Sequence, residues 1–316
     1  MMKQTTKGRL VLLFVYTIAM TLGFWVSRVS DYPVLVQSAV AVGLAVSIIF
    51  VGSVDFNNSS VFDPYWSVAP PLIVVYYWIW MVGQLPGDGS YWSVITGSHL
   101  VPGQADYAAI PSWPDMTRIV VVMVLTLAYS IRLTWNFLRG WPGLKHEDWR
   151  YANFRKRSGK AYWVVSFFGI HLFPAMMVFG GTLSLWVVVI HGATPLNLLD
   201  LLALLITGSA ILLEAIADRQ LRHYALSAHE PGKTLRTGLW SRSRHPNYIG
   251  EMLFWWGLYC FALAANPTYW WVIIGPLTIT FMFVFISIPM IEKRMLERRS
   301  DYEDYRKKVP MLFRIL

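Results

Sequence analysis

The sequence predicts an all-α membrane protein, a polytopic helix bundle of about eight transmembrane helices with cytoplasmic termini. Three observations predict it. Hydrophobic residues fill 55% of the 316 positions and charged residues only 14%, with a mean hydropathy of +0.45, unlike the balance of a soluble domain. The apolar residues gather into runs long enough to cross a bilayer as helices. The basic residues cluster in loops between those runs, in segments that eight spans place on one side.

Lys3, Lys7 and Arg9 precede the first run, residues 10–26. It is long and no small-x-small cleavage site follows, so it reads as a helix and not a signal peptide. Residues 34–54 form a second span. Residues 65–85 form a third, rich in aromatics and carrying Pro70-Pro71, which neighbouring helices make tolerable. A Gly/Pro/Ser/Trp loop over 86–115 holds almost no basic residue. The fourth span is 116–138. The fifth, 162–190, is expected to bend at Pro174 or at Gly180-Gly181. The sixth is 196–217, the seventh 249–265 and the eighth 269–291. The basic segments 139–160, 218–244 and the tail after 291 share one face, and the 86–115 loop lies opposite. The net charge of +9 belongs to this loop pattern and does not signal nucleic-acid binding. The single cysteine, Cys260, excludes a disulfide within the chain, and no His/Cys cluster has the spacing of a metal site.

Residues 240–251 read W-S-R-S-R-H-P-N-Y-I-G-E. Pro246 suits the first turn of a helix, so a helix start lies beside Arg242 and Arg244 and is suited to a phosphate or pyrophosphate. Glu251 follows inside that helix, where a carboxylate is costly unless it pairs or works. Other polar residues converge on the same face. Glu214, Asp218 and Arg222 form one stripe at the end of the sixth span, at spacings of four. Tyr129, Arg132, Asn136 and Arg139 do so in the fourth, and Arg132 lies deep enough to need an anionic partner. Glu292 closes the eighth span ahead of Tyr302 and Tyr305 in a cationic, helical tail. Asp63 is placed to cap the third span at Pro64-Tyr65. His171 and His191 read as packing or interfacial residues.

These residues carry a pattern. S-R-H-P-N-Y-I-G-E-M-L-F-W-W-G at 243–257, E-A-I-A-D-R-Q-L at 214–221, E-D-W-R-Y at 147–151 and D-P-Y-W-S at 63–67 together resemble the DUF1295 branch of the steroid 5-alpha-reductase family. The resemblance runs from about residue 55 to the C-terminus. It divides the chain into an N-terminal hairpin, 1–54, and a reductase-like transmembrane domain, 55–316. It implies a helical membrane reductase holding NADPH between its cytoplasmic helix ends. Asn247, Tyr248, Gly250 and Glu251 match the family's cofactor motif, and Asp218 matches its preceding Asp. Tyr129 and Arg132 match a Tyr-x-x-Arg pair whose Tyr polarises the substrate carbonyl. Steroid reductases carry Gln-Glu near the start of the corresponding third span, where this chain reads Asp63-Pro64-Tyr65-Trp66.

The expected cofactor site is therefore Arg132, Asn136, Asp218, Arg222, Arg242, Arg244, His245, Asn247, Tyr248, Glu251, Glu292 and Tyr302. The expected proton donor is Tyr129, with Asp63 and Tyr65 next in line. The substrate class is a lipophilic enone, steroid-, isoprenoid- or lipid-like, and membrane lipid is the surrounding partner, with no nucleic acid and no obligate protein partner inferred. The membrane is of the bacterial inner-membrane or endoplasmic-reticulum type. Isoprenylcysteine carboxyl methyltransferases are similar at R-H-P-x-Y, so an S-adenosylmethionine-dependent methyltransferase stands as an alternative, as does a non-catalytic membrane protein.

Overall fold

A computed structural model describes residues 4–28, 32–83, 115–228 and 230–312. Eight helices in it are long and apolar enough to cross a membrane, and no strand occurs among the described residues. The chain is an all-α, multi-pass membrane protein. The 86–115 loop expected opposite the basic face lies, apart from Asp115, outside the described residues.

Helices α1 (Gln4–Arg28) and α2 (Val34–Asp55) pair closely, with Gly23 against the Ala41 carbonyl and Gly52 against Val15. The Tyr16 hydroxyl of α1 donates to the Val61 and Phe62 carbonyls, at 3.2 and 3.1 Å. Those carbonyls lead into α3 (Tyr65–Gly83), and Tyr16 and Ile49 share one core cluster with Tyr77 and Trp255. The N-terminal hairpin is thus packed into the bundle.

Helix α4 (Met116–Gly140) starts at Asp115, whose side chain accepts from the Thr117 and Arg118 N–H groups. Between the fourth and fifth spans lies a short helix, α5 (Trp149–Ser158), capped by Asp148. Apolar runs do not reveal it, because only ten residues long and strongly charged, it lies at the end of the bundle.

Helix α6, residues 162–190, departs from a regular α-helix just before Pro174, one of the two places expected, and not at the glycine pair. A π-helical stretch, Ser166–Leu172, stands just ahead of Pro174. Proline lacks the N–H that would close the α-helical ladder, and a wider turn absorbs the mismatch. Gly180 and Gly181 make close contacts instead. A Cβ on Gly181 would overlap the Trp255 ring, and Gly180 lies against Gly275. Helix α9, residues 274–298, repeats the device with a π stretch at Phe283–Ser287 ahead of Pro289.

Helix α7 (Leu198–Leu226) opens with a capping box of Asn197 and Asp200 and runs well past the expected end at 217. Its polar last turns leave no apolar signal. Helix α8 (Pro246–Ala265) is the central element, with 72% of its spanning window buried against 28% for α7. The two pack through small residues, as membrane helices do. Gly250 sits on the Ala210 carbonyl and Glu214, and Gly257 on Thr207. Gly257→Ala is therefore expected to destabilise the protein by about 1–3 kcal/mol through overpacking, measured by thermal unfolding in detergent. Gly43→Ala, with no atom near its added methyl, serves as the control and is expected to leave stability unchanged or raise it by up to about 1 kcal/mol through helix propensity. A tail helix, α10 (Tyr302–Lys308), completes the chain's described elements.

Candidate active site

The polar residues meet where α4 and α7 end and α3 and α8 begin. Glu251, in the second turn of α8, is buried. Its Oε1 accepts three hydrogen bonds, from Trp66 Nε1 at 2.7 Å, Tyr129 Oη at 2.7 Å and Trp255 Nε1 at 2.9 Å. Trp255 is one turn along the same helix, so the spacing of four brings it back over the carboxylate. Tyr129 stacks on Phe254 with ring centroids 3.9 Å apart, which fixes its plane.

Beside this knot Arg132 lies between two acids one turn apart on α7. It is 2.7 Å from Glu214 and 3.1 Å from Asp218. The Glu214 contact is off the hydrogen-bond line and acts as an ion pair only. Arg132 finds the anionic partner that its depth demands. Asn136 donates to Asp218 Oδ2 at 2.9 Å, and the Asn247 side chain reaches the same carboxylate from α8.

The opposite wall hangs on α5. The Asn58 amide donates to the Leu144 and His146 carbonyls, at 2.7 and 3.0 Å, and holds the 141–148 loop on the turn before α3. Glu147 accepts from Arg155, the Ser59 N–H and Tyr162. Partial burial pushes its carboxyl up, but those three donors and the nearby Arg155 charge outweigh burial, and the net direction is down. The loop so placed fixes the start of α5, which presents Tyr151, donating to Asp63 Oδ1 at 2.5 Å, and Arg150, pairing with Asp148 at 2.8 Å.

Between the two walls is a cavity of about 680 Å³, within the range of small-molecule and cofactor sites. Asn136, Asp218, Asn247, Tyr248 and Glu251 line it from one side, with Glu214 behind Asp218, and Asp63, Asp148, Arg150 and Tyr151 from the other. Phe137, Ile170, Phe173, Met282 and Ile286 form its apolar lining, and both π stretches contribute.

Several residues expected at the cofactor lie elsewhere. Arg244 is engaged within the protein. Its guanidinium bonds Glu292 Oε1 at 2.7 Å and the Arg306 and Val309 carbonyls, both at 2.9 Å. His245 joins the same Glu292 oxygen at 2.9 Å. Tyr305, which burial pushes up to about 12, bonds the Trp240 carbonyl, and Tyr302 packs on Tyr305. Arg244, His245, Glu292 and Tyr302 thus form a clasp that fastens α10 to the start of α8, because the tail's carbonyls reach the guanidinium first. Arg242 is exposed, and neither it nor Arg222 lines the cavity. Tyr65 is buried on Phe62, and Tyr129 stands one hydrogen bond behind the cavity wall. His171, read as a packing residue, is fully buried and bonded to Ser53. Trp66 and Tyr151 were missed as site residues, although both fall within the quoted D-P-Y-W-S and E-D-W-R-Y stretches.

A family model described as "Protein of unknown function (DUF1295)" matches residues 79–309. The chain belongs to the DUF1295 family. The match contains Tyr129, Arg132, Tyr151, Asp218, Asn247 and Glu251, while Asp63 and Trp66 precede it. One similar protein is "Uncharacterized protein C594.04c" of Schizosaccharomyces pombe (strain 972 / ATCC 24843), 28% identical over 218 residues. That alignment covers 62% of this chain and 63% of the relative, so the chain spans less than two thirds of the yeast protein's length. No solved structure matches the DUF1295 chain.

Proposed function

We propose that this DUF1295 protein is a membrane reductase that uses NADPH to saturate the C=C bond of a lipophilic enone. The observation that carries the reading is the cavity itself, with a hydrogen-bonding wall of Asn136, Asp218, Asn247 and Glu251, an opposite wall of Asp63, Asp148, Arg150 and Tyr151, and an apolar lining between them. The hydrogen-bonding wall fits a nicotinamide and ribose, since Asn136 and Asn247 bring amides and Asp218 and Glu251 bring acceptors. Bound NADPH supplies the hydride. Tyr129, buried behind Glu251, polarises the carbonyl of the enone once the substrate opens the wall at Glu251 and the hydroxyl turns to that oxygen. Phe137, Phe173, Met282 and Ile286 hold an apolar skeleton and exclude water. The basic segments at the cavity end favour its placement in the cytoplasm, with both termini on that side of a bacterial inner membrane or endoplasmic-reticulum membrane.

One observation favours a second reading. Five carboxylates, Asp63, Asp148, Glu214, Asp218 and Glu251, line the cavity with a single arginine, Arg150, a balance that suits the cationic sulfonium of S-adenosylmethionine. Ligand-linked stability separates the two. NADPH at a hundredfold excess over its dissociation constant is expected to stabilise the purified protein by about 2.7 kcal/mol, while S-adenosylhomocysteine leaves the thermal midpoint unchanged. The reverse pattern transfers the site to a methyltransferase, and no response to either ligand favours a non-catalytic protein.

A further inference from the structure

Past Arg150, Phe154 and Met290 the cavity continues into a second groove of about 500 Å³, between α5 and the last turns of α9. Arg150, Lys156, Arg157, Lys293 and Arg294 line it against one carboxylate, Glu297. Neighbouring arginines at this end are engaged by acids. Arg132 has Glu214 and Asp218, Arg155 has Glu147, and Arg244 has Glu292. In the groove only Arg150 is so engaged, by Asp148. Among the described residues Lys156, Arg157, Lys293 and Arg294 form no ion pair.

Loop charge bias accounts for basic residues at this end of the bundle. It does not account for cations from two separate helices converging on one walled groove, where like charges repel. One of them is held in place, since the Arg294 guanidinium sits 4.1 Å over the Trp149 ring. Guanidinium forks and mobile ammonium groups around a recess form the donor set that phosphate oxygens require.

We propose that the groove binds a phosphate-bearing ligand, through Arg150, Lys156, Arg157, Lys293 and Arg294. Two sources share that chemistry, the phosphates of a nucleotide whose other end enters the cavity and the headgroup of an anionic lipid. The proposal goes beyond the reductase reading and stands or falls separately from it.

The test titrates inorganic pyrophosphate into the detergent-purified full chain, followed by calorimetry. Lys156, Arg157 and Lys293 are exposed, so the triple variant Lys156→Gln/Arg157→Gln/Lys293→Gln retains the fold, checked by an unchanged thermal midpoint. It is expected to bind pyrophosphate on the order of tenfold more weakly or worse. The control Lys145→Gln/Lys160→Gln, exposed at the same end but outside the groove, binds as the unmodified protein does. Displacement of pyrophosphate by NADPH assigns the groove to nucleotide phosphates. Displacement by bicelles containing phosphatidate, and not by phosphatidylcholine alone, assigns it to a headgroup, and either result supports the site. Equal pyrophosphate binding by the triple variant and the unmodified protein, or no binding by either, overturns it. Pyrophosphate binding without any NADPH binding removes the reductase reading and leaves the groove.

Discussion

Arg118→Met is expected to lose about 3–5 kcal/mol of stability, the range for removing one partner of a buried ion pair. Arg118 is on the far end of the bundle from the cavity, with its side chain fully buried. Its guanidinium forks onto Asp200, at 2.6 and 2.7 Å, and also donates to the carbonyls of Thr194, Pro195 and Ala264, at 2.8, 3.0 and 3.3 Å. One side chain therefore joins the start of α4, the turn before α7, the first turn of α7 and the end of α8. Among the described residues Asp200 keeps only the Asn197 N–H when the arginine is gone, and it then carries a buried charge with no ion-pair partner. Methionine fills much of the volume, so the loss reports the charge and the carbonyls more than a cavity. Arg118→Lys is expected to recover only part of the loss, because an ammonium cannot fork onto Asp200 while reaching three carbonyls. Thermal unfolding in detergent checks both variants. A loss in Arg118→Met below about 1 kcal/mol, the scale of an exposed pair, would mean that this end of the bundle is wet and the pair is screened.

That pair also marks where the sequence stops being legible. The eight spans were readable because apolar runs of membrane length have few alternative explanations. The short-range parts of the site were readable too. Glu214 and Asp218 fall on one stripe of α7, and Glu251 faces Trp255 along α8, since both relations are spacings of four in a helix. Arg118 and Asp200 are 82 positions apart, and no periodicity links them. The same limit hides the partners of Arg244. Next to a helix start it looks like an anion ligand, and only the fold brings the tail carbonyls and Glu292 against it. Helix α5 and the end of α7 were missed for a different reason, because polar helix at a membrane surface carries no apolar run to find. The bend in α6 was placed at a glycine pair or at Pro174. The helix widens just before the proline, and the glycines serve close contact with Trp255 and Gly275.

Tyr129→Phe is expected to lower turnover on an enone substrate by about 10²–10⁴-fold, the contribution of a positioned general acid, while leaving NADPH binding intact. Two tyrosines compete for the role, and each now bonds a carboxylate. Tyr151 opens directly on the cavity but is the sole side-chain hydrogen-bond donor to Asp63 among the described residues. If it turned to a substrate, half-buried Asp63 would be left without a side-chain donor, which is costly. Tyr129 bonds an oxygen that two indoles also reach. When its hydroxyl swings to a substrate carbonyl, Glu251 keeps Trp66 and Trp255. The Phe254 stack holds the ring plane through the change of partner, and the Arg132 guanidinium lies 5.8 Å from the ring centroid. The rate is measured as NADPH consumed per enzyme with saturating enone, and binding as the ligand-induced shift in thermal midpoint. Tyr151→Phe is expected to reduce turnover less, through a loosened Asp63. Full turnover in Tyr129→Phe, with the larger loss in Tyr151→Phe, would move the donor to the Asp63 side of the cavity.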